Sequence, residues 1–175
     1  DQTVTSMELH PAMMGALKPR MGESMSVGNE GGGVVVDAGV NAKHLIGKTV
    51  GAAGGAMYSE YRCLPAHSCL VMNEGTTPTE AASSFVNPLT ALAFIETMRL
   101  ENHSAILNTA AASNLGQMLV KICEEDGVPL INVVRKPEQV EVLKKLGAEY
   151  VCDTSADSFM ADLVDALVAT GATLG

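Results

Sequence analysis

From Pro78 onward the chain alternates short apolar runs with helix-period stretches, and this rhythm limits the fold more than any other feature. Residues 104–108 (S-A-I-L-N) read as a short buried strand, and residues 115–125 as a helix stopped near Gly127. Residues 130–134 form a second strand and 137–146 a helix stopped by Gly147; 149–152 form a third strand and 158–169 a helix stopped by Gly171. Parallel strands need a crossover between them, so alternation at this length specifies βαβ units and a parallel sheet. The last residues, 172–175, read as the opening of a fourth strand. Ahead of the alternation, residues 79–85 and 89–98 have helical spacing, with Thr77, Thr79 and Asn87 available as N-caps and Pro88 suited to a first turn.

The richest chemical signal lies between the first of these strands and its helix, in N-T-A-A-A-S-N-L-G from Asn108 to Gly116. The small residues Ala110 to Ser113 let a backbone approach a bulky group, and Gly116 lets the helix pack tightly on its strand. The helix start offers unpaired N–H groups to a phosphate. Dinucleotide-binding folds hold a pyrophosphate at this position, so Ala111, Ala112, Ser113, Asn114, Leu115 and Gly116 are candidate cofactor contacts. The match to G-x-G-x-x-G is imperfect, because Ala111 and Ser113 stand where the first two glycines would. A small-residue turn also serves plain packing, and the flanking strand and helix are what favour the binding reading.

NAD-binding folds place an acid ~20 residues beyond the last glycine, on the ribose 2′-hydroxyl. Here the second strand is followed by Arg135 and Lys136. An acid would repel a 2′-phosphate, whereas an arginine pairs with it through charge-assisted bonds. The pair therefore favours NADPH over NADH, the alternative being two solvated residues of a surface loop.

Composition excludes several partners. Hydrophobic residues make up 47% and charged residues 18%, the balance of a globular chain, and the formal net charge is −9. Nucleic acid and anionic membrane are disfavoured by that charge, and no apolar run approaches the ~18 residues of a bilayer span. No secretory signal is visible, and with Asp1 where a start Met would stand, the beginning has been removed or not captured. Cys63, Cys69, Cys123 and Cys152 show no C-x-x-C spacing, which suggests reduced, small apolar residues and a cytoplasmic protein. From Gly28 to about Val71, glycine-rich turns separate short β-prone runs, as in a small antiparallel barrel or sandwich. Residues 1–27 read as a loop with one short helix.

Several motifs, in order, resemble the medium-chain dehydrogenase/reductase superfamily. G-N-E-G-G-G-V-V (Gly28 to Val35) is similar to the G-H-E-x-x-G-x-V of its GroES-like barrel, and Y-S-E-Y (Tyr58 to Tyr61) resembles a Y-A-E-Y strand. Thr76 to Ala82 with N-P-L-T-A (Asn87 to Ala91) resembles its linker helices. Ala110 to Gly116 resembles the A-A-A-G-G-V-G turn of quinone oxidoreductase-like members, and K-L-G-A-E (Lys145 to Glu149) a K-x-L-G-A-D helix ending. I-N-V-V-R (Ile131 to Arg135) is similar to the NADPH-using 2-enoyl thioester reductases.

The resemblance implies an α/β chain: a partial GroES-like β-barrel over residues 1–86, then the first half of a Rossmann domain over 87–175. Family members are much longer, so the start of the barrel and the fourth to sixth strands of the nucleotide domain are expected to be missing. It also implies a zinc-independent oxidoreductase, because Asn29 replaces the zinc-binding His of G-H-E and no metal is carried over. Asn87 and Thr90 are implied near the cofactor's nicotinamide end, helix capping being the alternative role. The substrate would be a quinone, enone or enoyl thioester, the catalytic residues are unassigned, and the longer protein could form a homo-oligomer. Two other readings stay open: a non-catalytic nucleotide-binding piece, and a structural protein reusing the fold.

Overall fold

The structure is a computed structural model that describes residues 2, 3 and 24–173. The chain divides into two compact units, Asp1–Phe85 and Val86–Gly175. The expected N-terminal loop and short helix fall mostly outside the described residues. What is described there is a short antiparallel pair, β1 (Gln2–Thr3) with β2 (Ser24–Met25).

The first unit is built on an antiparallel sheet in the order β3 (Glu30–Val34), β4 (Thr49–Ala53), β5 (Cys69–Val71). Gly31, Gly32 and Gly33 do not form a turn but lie inside β3, with Gly32 facing Gly51 of β4. The reason is close approach. A Cβ on Gly32 would stand 2.5 Å from the Pro78 carbonyl oxygen and 2.6 Å from the Ala82 nitrogen, so glycine lets helix α1 (Pro78–Ala81) lie flat on the strand pair. This helix is shorter than its periodicity suggests. Thr77 and Glu80 close a reciprocal capping box, and those bonds hold the Glu80 carboxyl below its ordinary pKa. At the other end the Ser84 hydroxyl donates to the Glu80 carbonyl at 2.9 Å, and residues 82–85 leave the helix. Glu30 accepts from the Phe85 N–H at 3.2 Å, which ties β3 to the segment that follows α1.

Tyr58–Tyr61 do not form the strand that the family resemblance implies. Met57 and Tyr58 donate to the Gly28 and Val27 carbonyls at 3.1 Å, and the chain then bends, leaving Tyr58 82% and Tyr61 77% exposed. Ala56, just before, has a φ of +64°, which turns the backbone out of any ladder.

The second unit alternates as its sequence indicates: α2 (Val86–Leu100), β6 (Ile106–Asn108), α3 (Asn114–Asp126), β7 (Leu130–Val134), α4 (Pro137–Lys145), β8 (Tyr150–Asp153) and α5 (Phe159–Thr170). The three strands form one parallel sheet in the order β6-β7-β8. β7 is central and covered on both faces, which explains why it is apolar apart from Asn132. On one face Ile106, Leu130 and Val134 pack with Ile95 and Met98 of α2, Leu119 and Cys123 of α3, and Leu143 of α4. On the other, Ile131 and Cys152 meet Ala166, Leu163 and Leu167 of α5. α3 and α5 end on Gly127 and Gly171 in left-handed backbone, as C-caps require. Ala172 and Thr173 join no ladder, and the rest of the expected fourth strand lies outside the described residues. No described helix is long and apolar enough to cross a membrane.

All four cysteines are free, but they do not share one role. Cys123 and Cys152 are buried apolar fillers; Cys69 is half-buried and donates weakly to the Pro65 carbonyl, while Cys63 is exposed.

Candidate functional site

The turn after β6 is held by its own backbone. Ala110 adopts a φ of +53°, unusual for a residue with a Cβ, and its carbonyl accepts from the Ser113 N–H at 2.9 Å. Ala111 is fully buried and donates to the Val133 carbonyl at 3.2 Å, which ties the turn to the neighbouring strand. Ser113 is the N-cap of α3: its hydroxyl accepts from the Gly116 N–H at 3.2 Å and its carbonyl from the Gln117 N–H at 2.9 Å. The Gln117 side-chain amide donates back to the Ala112 carbonyl at 2.9 Å.

Gly116 is the tightest point. A Cβ there would land on the Ala111 carbonyl oxygen and stand 2.6 Å from its carbon, so only glycine lets the helix start directly against the turn. Asn114 and Leu115 supply the first helical N–H groups, which have no acceptor within a helix. No acid stands in the first turn of α3, so the positive end of the helix dipole is left uncompensated. The arrangement can receive an anion.

β7 ends beside this turn. Its register pairs Asn132 with Asn108, and the Val133 carbonyl bonds Ala111, so Arg135 and Lys136 emerge at the same edge of the sheet. Both are exposed. The Arg135 N–H donates to the Gln139 side-chain oxygen at 2.9 Å, and Lys136 is the N-cap of α4 without a side-chain cap bond of its own.

Asn87 and Thr90 belong to the first turns of α2. Arg99 reaches Asp126 at 2.9 Å and so joins the C-terminal turns of α2 and α3. Glu96 and Asp126 together raise the Arg99 pKa. Asn87 is a helical residue rather than the N-cap, because the helix already begins at Val86. The Thr90 hydroxyl donates to the Val86 carbonyl at 2.8 Å and keeps its lone pairs free to accept. While Asn87 and Thr90 lie in the first turns of α2, the structure brings the 111–116 turn, Arg135 and Lys136 together at the carboxyl end of the parallel sheet. This is where open α/β folds bind ligands.

Two features of the site were not legible in the sequence. The left-handed Ala110 is a backbone property, and the Gln139 bond follows from the chain path after β7; its signal was a glutamine at the third helical position. Asn108 and Asn132 lie buried below the turn, with the Asn108 amide nitrogen and the Asn132 amide oxygen unpartnered. A cleft of about 390 Å³ opens at the opposite, amino end of the strands, lined by Cys123, Glu124, Glu149, Tyr150 and Thr170. Burial, helped by Asp126, pushes the Cys123 thiol up to about 12, so it holds its proton at neutral pH.

No family model matches the chain. It is 27% identical over 131 residues to a mitochondrial enoyl-[acyl-carrier-protein] reductase of Caenorhabditis elegans, covering 71% of this chain and 38% of that protein. It is also 27% identical over 107 residues to an NAD-dependent alcohol dehydrogenase of Saccharolobus solfataricus, covering 61% of this chain and 31% of that protein. A crystal structure of a candidate NADPH:quinone reductase from Mesorhizobium loti matches with a TM-score of 0.69 at 34% identity, over 82% of this chain and 43% of that one. The chain spans less than half the length of each of these proteins. Its antiparallel and parallel units correspond to the GroES-like and Rossmann domains of such enzymes. Together with the strand–turn–helix site, these likenesses make the chain similar, over part of their length, to quinone oxidoreductases and enoyl reductases of the medium-chain dehydrogenase/reductase superfamily.

Proposed function

We propose that the chain binds NADPH at the carboxyl end of its parallel sheet and is part of a zinc-independent oxidoreductase. The observation that carries this reading is the open N-terminus of α3 beside Arg135 and Lys136, with no acid after β7 where an NADH site would hold one. The residues present fit the cofactor: the small Ala111, Ala112 and Ser113 would leave room for a pyrophosphate, Asn114 and Leu115 would offer it N–H groups, and Gly116 lets the helix start close to the turn. Arg135 and Lys136 would pair with the 2′-phosphate, and Asn87 and Thr90 would contact the nicotinamide end. On this reading residues 87–175 serve the nucleotide and residues 1–86 the substrate.

Held there, the cofactor would supply hydride chemistry, and the acceptor would be a quinone, an enone or an enoyl thioester. The chain's own part is binding and orientation. Asn29, an amide where zinc members have a histidine, supports chemistry without the metal. The free thiols suit a reducing cytoplasm. No partner beyond a small substrate and further copies of the longer protein is invoked.

The short span relative to these relatives keeps a second reading alive: a nucleotide-binding piece that turns nothing over. One experiment separates the two. NADPH and NADH are titrated separately by cofactor fluorescence, free of interference because the chain has no Trp, and NADPH oxidation is then followed with a panel of quinones and enones. Preferred NADPH binding with turnover supports the enzyme, and binding without turnover supports the piece. Binding of neither cofactor overturns the site assignment.

A further inference from the structure

Gln139 is the third helical residue of α4, after Pro137 and Glu138, with Lys136 at the N-cap. A Glu or Gln at this position ordinarily folds back to the N-cap N–H. Here it reaches one residue further, to the N–H of Arg135, at 2.9 Å. The bond fixes the backbone direction of a residue that is otherwise exposed, at the place where β7 runs out. We propose that Gln139 is a positioning residue for cofactor choice: its oxygen orders Arg135, and its lack of charge leaves the site open to a 2′-phosphate. The inference rests on the NADPH reading above.

The chemistry of the acceptor carries the second half of the proposal. A glutamate would accept the same bond and would suit the positive end of α4 better than a glutamine does. It would also set a second carboxylate beside Glu138, next to the two cations that would meet the phosphate. The neutral amide gives up cap strength and keeps Arg135 and Lys136 unmatched for an incoming dianion. A residue present only to cap the helix would gain from the acid; one serving a phosphate would lose.

The test compares Gln139→Glu, Gln139→Ala and Arg135→Ala with the parent chain by NADPH and NADH fluorescence titration, with thermal unfolding as the stability readout. Gln139→Glu is expected to keep or raise Tm while weakening NADPH roughly tenfold and leaving NADH within about twofold, the scale of one unfavourable charge contact near the surface. Gln139→Ala is expected to weaken NADPH less, through lost ordering alone. If Gln139→Glu binds NADPH as the parent does, or loses both cofactors equally, the proposal is overturned while an Arg135-dependent NADPH preference still stands. If the parent shows no such preference, or Arg135→Ala leaves it unchanged, the NADPH reading fails and takes the Gln139 proposal with it.

Discussion

Gly116→Ala isolates the contact that seats α3 on its turn. Two opposing terms decide the result. Alanine in place of glycine in a helix contributes about 1 kcal/mol of stability through backbone entropy. Against this, the new methyl would meet the Ala111 carbonyl oxygen, with the carbonyl carbon at 2.6 Å and Cα at 2.8 Å. All three are backbone atoms of a residue that is fully buried and bonded to Val133, so no flexible side chain can move aside. Overpacking of this kind costs about 1–3 kcal/mol or more, and rigid surroundings place this site at the upper end. The net loss should be about 2 kcal/mol, which for a unit of this size lowers Tm by roughly 8–16 °C. Urea unfolding followed by circular dichroism gives the free energy directly. Gly127→Ala is the control: nothing lies within 4 Å of its Cβ position, and its φ of +67° leaves only the left-handed backbone penalty of about 1 kcal/mol. If Gly116→Ala stabilises the chain by the helix-propensity term alone, the helix does not rest on the turn and the geometry of the anion site is wrong.

Four further outcomes are expected. Arg135→Asp should weaken NADPH by about 1.5–3 kcal/mol and leave NADH nearly unchanged in paired titrations, as for a lost charge-assisted bond; equal losses would dismiss Arg135 as the phosphate reader. Ser113→Ala should cost about 1 kcal/mol in urea unfolding, because the Gly116 N–H loses the hydroxyl that caps it. In the folded chain a thiol reagent should modify the exposed Cys63 first and reach Cys123 and Cys152 only on denaturation. The raised Cys123 pKa also fixes a sign. The folded thiol holds its proton longer than the unfolded one, so its contribution is complete below pH 9.0 and is lost as pH climbs toward about 12. Cys123→Ala should flatten that alkaline decline in the urea midpoint; an unchanged slope would mean the thiol does not titrate differently in the two states.

The parallel unit was legible because its signals are local and agree with one another. Leu130–Val134 is an apolar run bounded by helix signals, and the structure buries it on both faces. Gly127 and Gly171 mark the helix ends, where they take left-handed backbone. The antiparallel unit was harder to read because its glycines answer to residues far along the chain. Gly32 looks like a turn residue in sequence, yet it is a strand residue whose missing side chain makes room for Pro78 and Ala82. Nothing within a few positions of Gly32 announces that helix. Ser83 and Ser84 could have warned that α1 is short, since serine bonds back to the preceding turn and weakens a helix.

The same distinction separates the parts of the candidate site. Ser113 and Gly116 stand three residues apart on a helix start, so their roles follow from helical geometry and small side chains alone. The position of Arg135 at the end of β7 follows from counting on from the glycine, because strand β7 must return beside β6 before the chain can turn into α4. Gln139 could not be found that way: four residues after an arginine, a glutamine is an ordinary surface choice until the backbone path is known. Once that path bends the Arg135 N–H onto its oxygen, the absence of a charge at 139 becomes informative, since helix capping by itself would have favoured a glutamate there. On the NADPH reading, the site is marked as much by the acids left out, in the first turn of α3 and at 139, as by the cations it presents, with Glu138 the one acid in the first turn of α4.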